Sequence, residues 1–400
     1  MKQKKAAVFK QPLFCARGWP NAGKCGILVG EVIFLSRISC QTTPSYSPAD
    51  LDRAVAAHFA AMGEEELRPG IRVLLKMNML RGVSPETAIT THPALVAAVA
   101  RYLRSRGITE IVVADSPGGT YTASRMHSVY RAIGLGDEAY SLNEDFSFER
   151  VHKEGTRGFN ILTPIVHADL VINLPKLKTH GMTVMSGAVK NLFGAVPGLQ
   201  KPELHCLNPD ERKFSEMLLE LADVVAPAYT IIDAVDAMEG DGPSGGTVCS
   251  PHLTIASRDL VALDWFCAEK ILQVDPRRVP YLALAEEQGR LKEREVEGEY
   301  ALPEKPFLLP EASSVDFAGK FPKFLQKPVH ALLDRTLVAQ PKIDRKKCVG
   351  CGKCAESCPQ HIITVVEKKA QIDRRTCISC FCCQEMCPVK AIGVRRKIKR

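Results

Sequence analysis

Between residues 72 and 272, short apolar runs alternate with stretches whose apolar positions recur every three or four residues. Arg72-Val-Leu-Leu-Lys76 does not alternate in polarity, which predicts a strand buried on both faces. From Pro93 to Arg106 the residues Leu95, Val96, Val99 and Leu103 fall on one helical face. Thr91 is the expected N-cap of that helix, Pro93 sits in its first turn and Gly107 ends it. Ile111–Ala114 follows as a second strand, so this stretch reads as a βαβ unit. Asp169–Asn173, Tyr229–Asp233 and His252–Ala256 read as further buried strands. Helices are expected over about 50–62, 183–193, 215–225 and 260–272. The alternation predicts an α/β fold, a mostly parallel sheet with flanking helices.

Composition divides the chain. Of 15 cysteines, nine lie between Cys348 and Cys387, while Cys15, Cys25, Cys40, Cys206, Cys249 and Cys267 are scattered. Residues 341–400 carry a net charge of +10 and residues 1–31 carry +5, which leaves −7 on the middle. A step of this size marks a domain boundary. Prolines 303, 306, 310, 322, 328 and 341 precede it and break regular structure. The expected organisation is an extension over 1–31, an α/β domain over 32–309, a Pro-containing linker over 310–340 with a short helix at 329–338, and a C-terminal domain over 341–400. The longest apolar run, Ile27–Ile38, is too short for a bilayer and is broken by Glu31, so no membrane span is expected. With no clean leader peptide, the expected compartment is the cytoplasm, where thiolate–metal sites are favoured over disulfides.

The C-terminal segment is a duplication. Ile343-Asp-Arg-Lys-Lys-Cys348 matches Ile372-Asp-Arg-Arg-Thr-Cys377, and each half continues as C-x2-C-x2-C-x3-C-P. Three cysteines on a tight loop suit three corners of one cubane, and the fourth, before a proline, reaches the other. That places Cys348, Cys351, Cys354 and Cys387 on one [4Fe–4S] cluster, and Cys377, Cys380, Cys383 and Cys358 on a second. Cys382 is left over. Zinc wants two separated cysteine pairs and fits poorly. Gly350 and Gly352 in the first loop are replaced by Ser379 and Phe381 in the second, so the two environments should differ. The segment resembles bacterial two-cluster ferredoxins, which implies a small α+β fold and one-electron transfer. The basic tail Arg395–Arg400 lacks interleaved aromatics, which makes nucleic acid a poor partner. Docking onto an acidic surface, including the −7 middle domain, is the simpler use.

In the middle domain, polar groups gather where strands end: Lys76 and Asn78; Asp115 and Ser116; Asn173, Lys176, Lys178 and His180; Asp233, Asp236, Glu239 and Asp241. Ligands of open α/β sheets bind beyond the carboxyl ends of the strands. Lys176, Lys178, His180, Lys190 and Asn191 form a donor-rich cationic set suited to a carboxylate or phosphate. Asp236, Glu239 and Asp241 are a candidate hard-cation turn. His180, Lys178, Lys176, Lys190 and Asp115 are the candidate catalytic residues, with His205 a further acid–base candidate. No G-x-G-x-x-G or Walker A spacing is present.

Leu74-Leu-Lys-Met-Asn78, Thr90-Thr-His-Pro93, Ala114-Asp-Ser-Pro117, Asn173-Leu-Pro-Lys-Leu-Lys-Thr-His180, Lys190-Asn-Leu-Phe-Gly194 and Glu239-Gly-Asp-Gly-Pro243 resemble the "domain of unknown function 362" family over about Val32–Leu309. Met77 stands where that family commonly has Pro. The resemblance implies a ferredoxin-linked architecture and names no reaction. Two functions compete. One is an oxidoreductase whose two [4Fe–4S] clusters exchange electrons with an anionic small molecule in the α/β domain. The other is a non-enzymatic electron carrier or cluster- or metal-delivery protein that uses the α/β domain for docking a redox partner protein.

Overall fold

The computed structural model describes residues 35–117, 123–198, 200–208, 210–310 and 337–398. The expected extension 1–31 and most of the linker fall outside these residues. So does the expected helix at 329–338, except for Leu337 and Val338, which begin a strand.

The first half contains β1 (Ser36–Thr42), α1 (Pro48–Met62), β2 (Arg72–Met77), α2 (Pro93–Ser105), β3 (Glu110–Ala114), α3 (Ala123–Ile133), β4 (Ser141–Leu142), β5 (Phe148–Val151), β6 (Phe159–Leu162), α4 (Thr163–Val166), β7 (Leu170–Leu174), β8 (Lys176–His180), β9 (Val184–Ser186) and α5 (Ala188–Asn191). The second half of the α/β body adds α6 (Gln200–Leu207), α7 (Glu211–Val225), β10 (Tyr229–Glu239), β11 (Thr247–Cys249), β12 (Leu253–Ser257), α8 (Leu260–Phe266), α9 (Pro280–Glu287) and β13 (Arg294–Glu297). The central sheet runs β13-β1-β12-β10-β7-β2-β3-β4. Every neighbouring pair is parallel except the two made by β12, which opposes both β1 and β10. The fold is thus a mostly parallel α/β sheet. Val73 and Leu75 of β2 pack with Leu51, Phe59, Val96 and Leu103 on the α1/α2 face. Leu74 points the other way, into a core with Phe214, Leu218, Leu263 and Leu282. Side chains of a strand alternate between faces, and burial of both faces explains why these strands show no polar alternation.

β10 is eleven residues long and serves two strands in turn. Its start pairs with β7, and its later part pairs with β8, with Asp233 opposite Lys176 and Met238 opposite Lys178. Pro175 separates β7 from β8, and its carbonyl accepts from Asp233 N at 2.8 Å. β8 was not expected from the pattern, because its polar residues conceal a fully buried strand.

Two expectations are corrected. The N-cap of α2 is His92, whose ring nitrogen accepts from Ala94 N, not Thr91. Thr91 Oγ1 instead donates to Leu174 O at 2.6 Å and accepts from Asn78 N at 2.8 Å, which joins the ends of β7 and β2. The helix expected over 183–193 is the strand β9, a short helix α5 and a 3₁₀ turn over Leu192–Ala195. The break falls at Gly187 because buried Asp264 accepts from Ala188 N (2.6 Å) and Val189 N (3.0 Å) and so starts the helix there. The helix from Leu260 runs on as a π turn over Cys267–Ile271.

The C-terminal unit is a small α+β fold. β14 (Leu337–Ile343) pairs antiparallel with β17 (Ile392–Ile398), and β15 (Ile363–Val366) with β16 (Lys369–Ile372). The short helices α10 (Lys353–Glu356) and α11 (Cys382–Glu385) follow the two cysteine loops. Its first strand begins at Leu337, four residues ahead of the composition step.

A Cβ added at Gly187 would lie 2.1 Å from Asp264 Oδ1. Gly187→Ala should therefore destabilise the body by about 2–3 kcal/mol, read as a lower denaturant midpoint. Gly393→Ala, with nothing within 4 Å of the added atom, should change it by less than about 0.5 kcal/mol.

Candidate functional site

The carboxyl ends of β2, β3, β7 and β8 hold a set of buried lysines. Lys76 is fully buried and pairs with Asp115 at 3.0 Å. Asp115 also accepts from Ser116 N at 2.8 Å and from Met79 N. Gly194 backs this pair, since a Cβ there would lie 1.9 Å from Asp115 Oδ1. Lys176 pairs with buried Asp233 at 2.9 Å, and its ammonium donates to Tyr46 Oη at 2.7 Å. Tyr46 in turn donates to Asp233 at 2.9 Å and stacks on His92 at 3.6 Å. Both ion pairs are complete, so these lysines brace the strand ends.

Lys178 differs. Its ammonium donates to Asn78 Oδ1 and Ile89 O, both at 2.7 Å, and no carboxylate lies within ion-pair distance among the described residues. Burial, reinforced by the like charge of Lys190, pulls its pKa down to about 7. The Asn78 oxygen is aimed by an amide chain. Asn78 Nδ2 donates to Asn191 at 2.9 Å, Asn191 donates to Asn173 at 2.8 Å, and Asn173 donates to Ala188 O at 3.0 Å. His180 Nδ1 accepts from Met182 N and Thr183 N, which places the proton on Nε2. Burial, with Lys190 nearby, pulls the ring down to about 4, so it is neutral. Nε2 donates to Glu385 Oε1 at 2.9 Å. Glu385 belongs to α11 of the C-terminal unit.

That contact is one of several by which the cysteine-rich unit sits on the strand ends. Ser244 donates to Glu385 O at 2.9 Å, Arg81 to Cys387 O at 3.3 Å, Lys390 to Gly246 O at 3.3 Å, and Gln360 to Cys206 Sγ at 3.3 Å. This contact sets an acid of the C-terminal unit against a neutral histidine beside the buried lysines of the body, the reverse of the sense suggested by the net charges.

The eight cysteines suit two cubanes. Cys348, Cys351, Cys354 and Cys387, the four grouped by spacing, line one hollow with glycine and apolar neighbours. Ala370 N donates to Cys348 Sγ at 3.4 Å and Ala391 N to Cys387 Sγ at 3.2 Å, as ligating thiolates require. In the second loop Ser379 Oγ is buried without a hydrogen-bond partner among the described residues, beside Cys377 and Cys380. Among the described residues no three His, Cys, Asp or Glu side chains converge on one point as a single ion needs. A cubane takes one thiolate at each of four irons instead. Of the candidate cation turn, Asp236 accepts from Ser250 Oγ at 2.6 Å and Glu239 from Leu308 N at 2.9 Å.

Residues 73–269 match the model of a domain of unknown function (DUF362), and residues 347–391 match that of a 4Fe-4S dicluster domain. The thylakoid-associated protein sll1697 of Synechocystis sp. is 37% identical over 235 residues, covering 56% of this chain and 70% of that protein. The chain belongs to the DUF362 family. The lactate racemase apoprotein from Thermoanaerobacterium thermosaccharolyticum aligns at a TM-score of 0.36 and 13% identity. The chain spans about half of that structure, 54% of it against 55% of this chain.

In this DUF362 protein the strand-end residues singled out by sequence do come together. Lys178 and His180 lie under the dicluster domain, and Lys190 shares the field of Glu385. His205 is buried, stacks on Phe214 at 4.5 Å and leaves Nδ1 without a partner among the described residues. Sequence reasoning missed Tyr46, His92, Lys201 and Glu385. Lys201 donates to Ser116 O, and burial pulls it down to about 8. A carboxylate between two cluster cysteines carries no sequence signal of a contact about two hundred residues away.

The depressed Lys178 pKa has a measurable sign. At and below pH 7 the folded chain buries a charged amine. Above it the folded amine is neutral while the unfolded one, with an ordinary value of 10.5, stays charged. Wild-type stability therefore gains up to about 1.4 kcal/mol per pH unit above 7 from this group. Lys178→Met should be most stabilising at or below pH 7, with the advantage shrinking by about 2–3 kcal/mol by about pH 9. Anaerobic guanidinium midpoints of the two proteins read the difference, and a pH-independent difference would refute the shift.

Proposed function

We propose that this iron–sulfur protein passes electrons through two [4Fe–4S] clusters to or from a reaction on a small anionic molecule at the strand-end site. The match to a 4Fe-4S dicluster domain supports the iron–sulfur electron carrier. The observation that carries the rest is the seating of that domain on the lysine- and histidine-lined strand ends through Glu385 and His180. Bound by the eight cysteines, the cubanes supply one-electron couples. The chain's own residues supply the rest. Lys178, poised near pH 7, takes or gives a proton at Nζ. His180 presents a proton at Nε2. Lys190 and Lys201 add a cationic field for a carboxylate or phosphate. Glu385 occupies the anion position while the domain is seated. An oxidoreductase in the cytoplasm is the role this reading assigns. Among the described residues no helix is long and apolar enough to cross a membrane. The rival reading, an electron carrier or cluster-delivery protein with the body as a dock, uses the same contacts and expects no small ligand.

Anaerobic reconstitution should give about eight irons per chain. Cys358→Ser and Cys387→Ser should each perturb a different cluster signal in EPR, whereas Cys382→Ser should leave both. In a thermal-shift screen of carboxylates and phosphates, a saturable stabilisation lost in Lys178→Ala with unchanged EPR supports the enzyme. No stabilisation by any of them favours the carrier.

A further inference from the structure

The seating on the body uses Glu385, the Cys387 carbonyl, Gln360 and Lys390. The first cysteine loop, residues 345–354, makes no hydrogen bond or ion pair with the body among the described residues. There Cys351 is exposed, whereas the other seven grouped cysteines are buried or half-buried. Val349 and Val389 flank it at 58% and 38% exposure, forming a small apolar centre. Arg345, Lys346, Lys347 and Lys353, close to it in sequence, and Lys368, whose carbonyl lies against Gly350, are exposed. No carboxylate of the described residues lies within ion-pair distance of any of them, although Asp344, Glu356 and Glu367 share the stretch. Lys369 is spent on Cys348 O at 2.7 Å. An exposed apolar spot in a stretch of unpaired cations is the surface of a transient, electrostatically steered encounter.

We propose that this loop docks an acidic electron-transfer protein, with Cys351 and the cluster it helps to hold as the electron port. The proposal rests on the two-cluster reading above. The fitting partner carries a ring of carboxylates around its own redox centre. None of these five basic residues is used in the seating on the body, so they are free for such a partner. Electrons then enter at the solvent edge and reach the second cysteine set, whose Cys358 precedes the Pro359–Gln360 contact with Cys206 of the body.

The test uses the full-length holoprotein and an acidic flavodoxin hydroquinone as donor in anaerobic stopped flow. Wild type should show a second-order rate that falls steeply as NaCl is raised. The variant Lys346→Glu/Lys347→Glu/Lys353→Glu should be slower by about tenfold or more at low salt and lose that dependence. Its reduction by photoreduced deazaflavin, a small neutral donor, should match wild type. An equal charge change at Arg68, Arg131 and Lys305 should leave the flavodoxin rate alone. A triple variant with an unchanged flavodoxin rate would overturn the proposal, and so would an equal loss in the control. If the triple variant lost binding to duplex DNA while keeping that rate, the basic residues would belong to a nucleic acid and the proposal would also fall. Iron content is read first: a value well short of about eight per chain would remove the two-cluster reading itself.

Discussion

Burial of lysine ammonium groups at the ends of the parallel strands is the constraint around which the body is arranged. A charge moved out of water costs several kcal/mol unless it is paired and hydrogen-bonded. Lys76, Lys176 and Lys178 are each about fully buried. The first meets Asp115, and the second meets Asp233 and Tyr46. The third meets only neutral oxygens and loses basicity instead. Much of the nearby detail follows. Gly194 must lack a Cβ so that the 3₁₀ turn can close over the first pair. β10 must be long enough to bring Asp233 opposite Lys176. Three asparagines must line up to fix the oxygen that faces Lys178. Two of these three lysines are braced by carboxylates, and the third is held by neutral oxygens alone.

The same cationic strand ends explain how the two parts of the chain meet. Net charge suggests a basic ferredoxin-like unit resting on an acidic body. The local field decides otherwise: the body is acidic in sum but cationic at its strand ends, and the one carboxylate of α11 is drawn there. Net charge governs solubility and long-range steering, whereas a contact at 2.9 Å is decided by the few groups that face each other.

How much of this was legible depended on the range of the interaction. The strands β2, β3, β7 and β12 and the helices α1, α2 and α7 were visible because burial of both faces, or of one stripe, writes a local pattern. The 4Fe-4S dicluster domain was visible because its repeated C-x2-C-x2-C-x3-C-P spacing is local in the chain. β8 was hidden because its lysines and histidine are buried by partners on other strands. The helix expected over 183–193 fails for a similar reason: Asp264, far along the chain, supplies the cap that starts it at Ala188. The strand-end cluster could be named residue by residue from sequence, but not which lysine lacked a carboxylate, since that depends on register between β8 and β10.

The internal duplication shows where symmetry was abandoned. Gly350 and Gly352 have φ of 71° and 81°, and their counterparts Ser379 and Phe381 hold φ of 56° and 57°. The left-handed backbone is thus kept while the side chain changes. At Gly350 the choice is forced, because a Cβ would lie 2.3 Å from Lys368 O. In the second loop a buried Ser379 hydroxyl and the buried Phe381 ring replace bare backbone. Hydrogen bonding, burial and solvent exposure set cluster potentials. The first loop is therefore open to solvent at Cys351 and the second is covered by Phe381, while both cysteine sets touch the body, through Cys387 O on Arg81 and through Pro359 O on Cys206. Two copies of one motif thus keep one backbone and set their cysteines in different surroundings, which is how a duplicated sequence comes to hold two unlike sites.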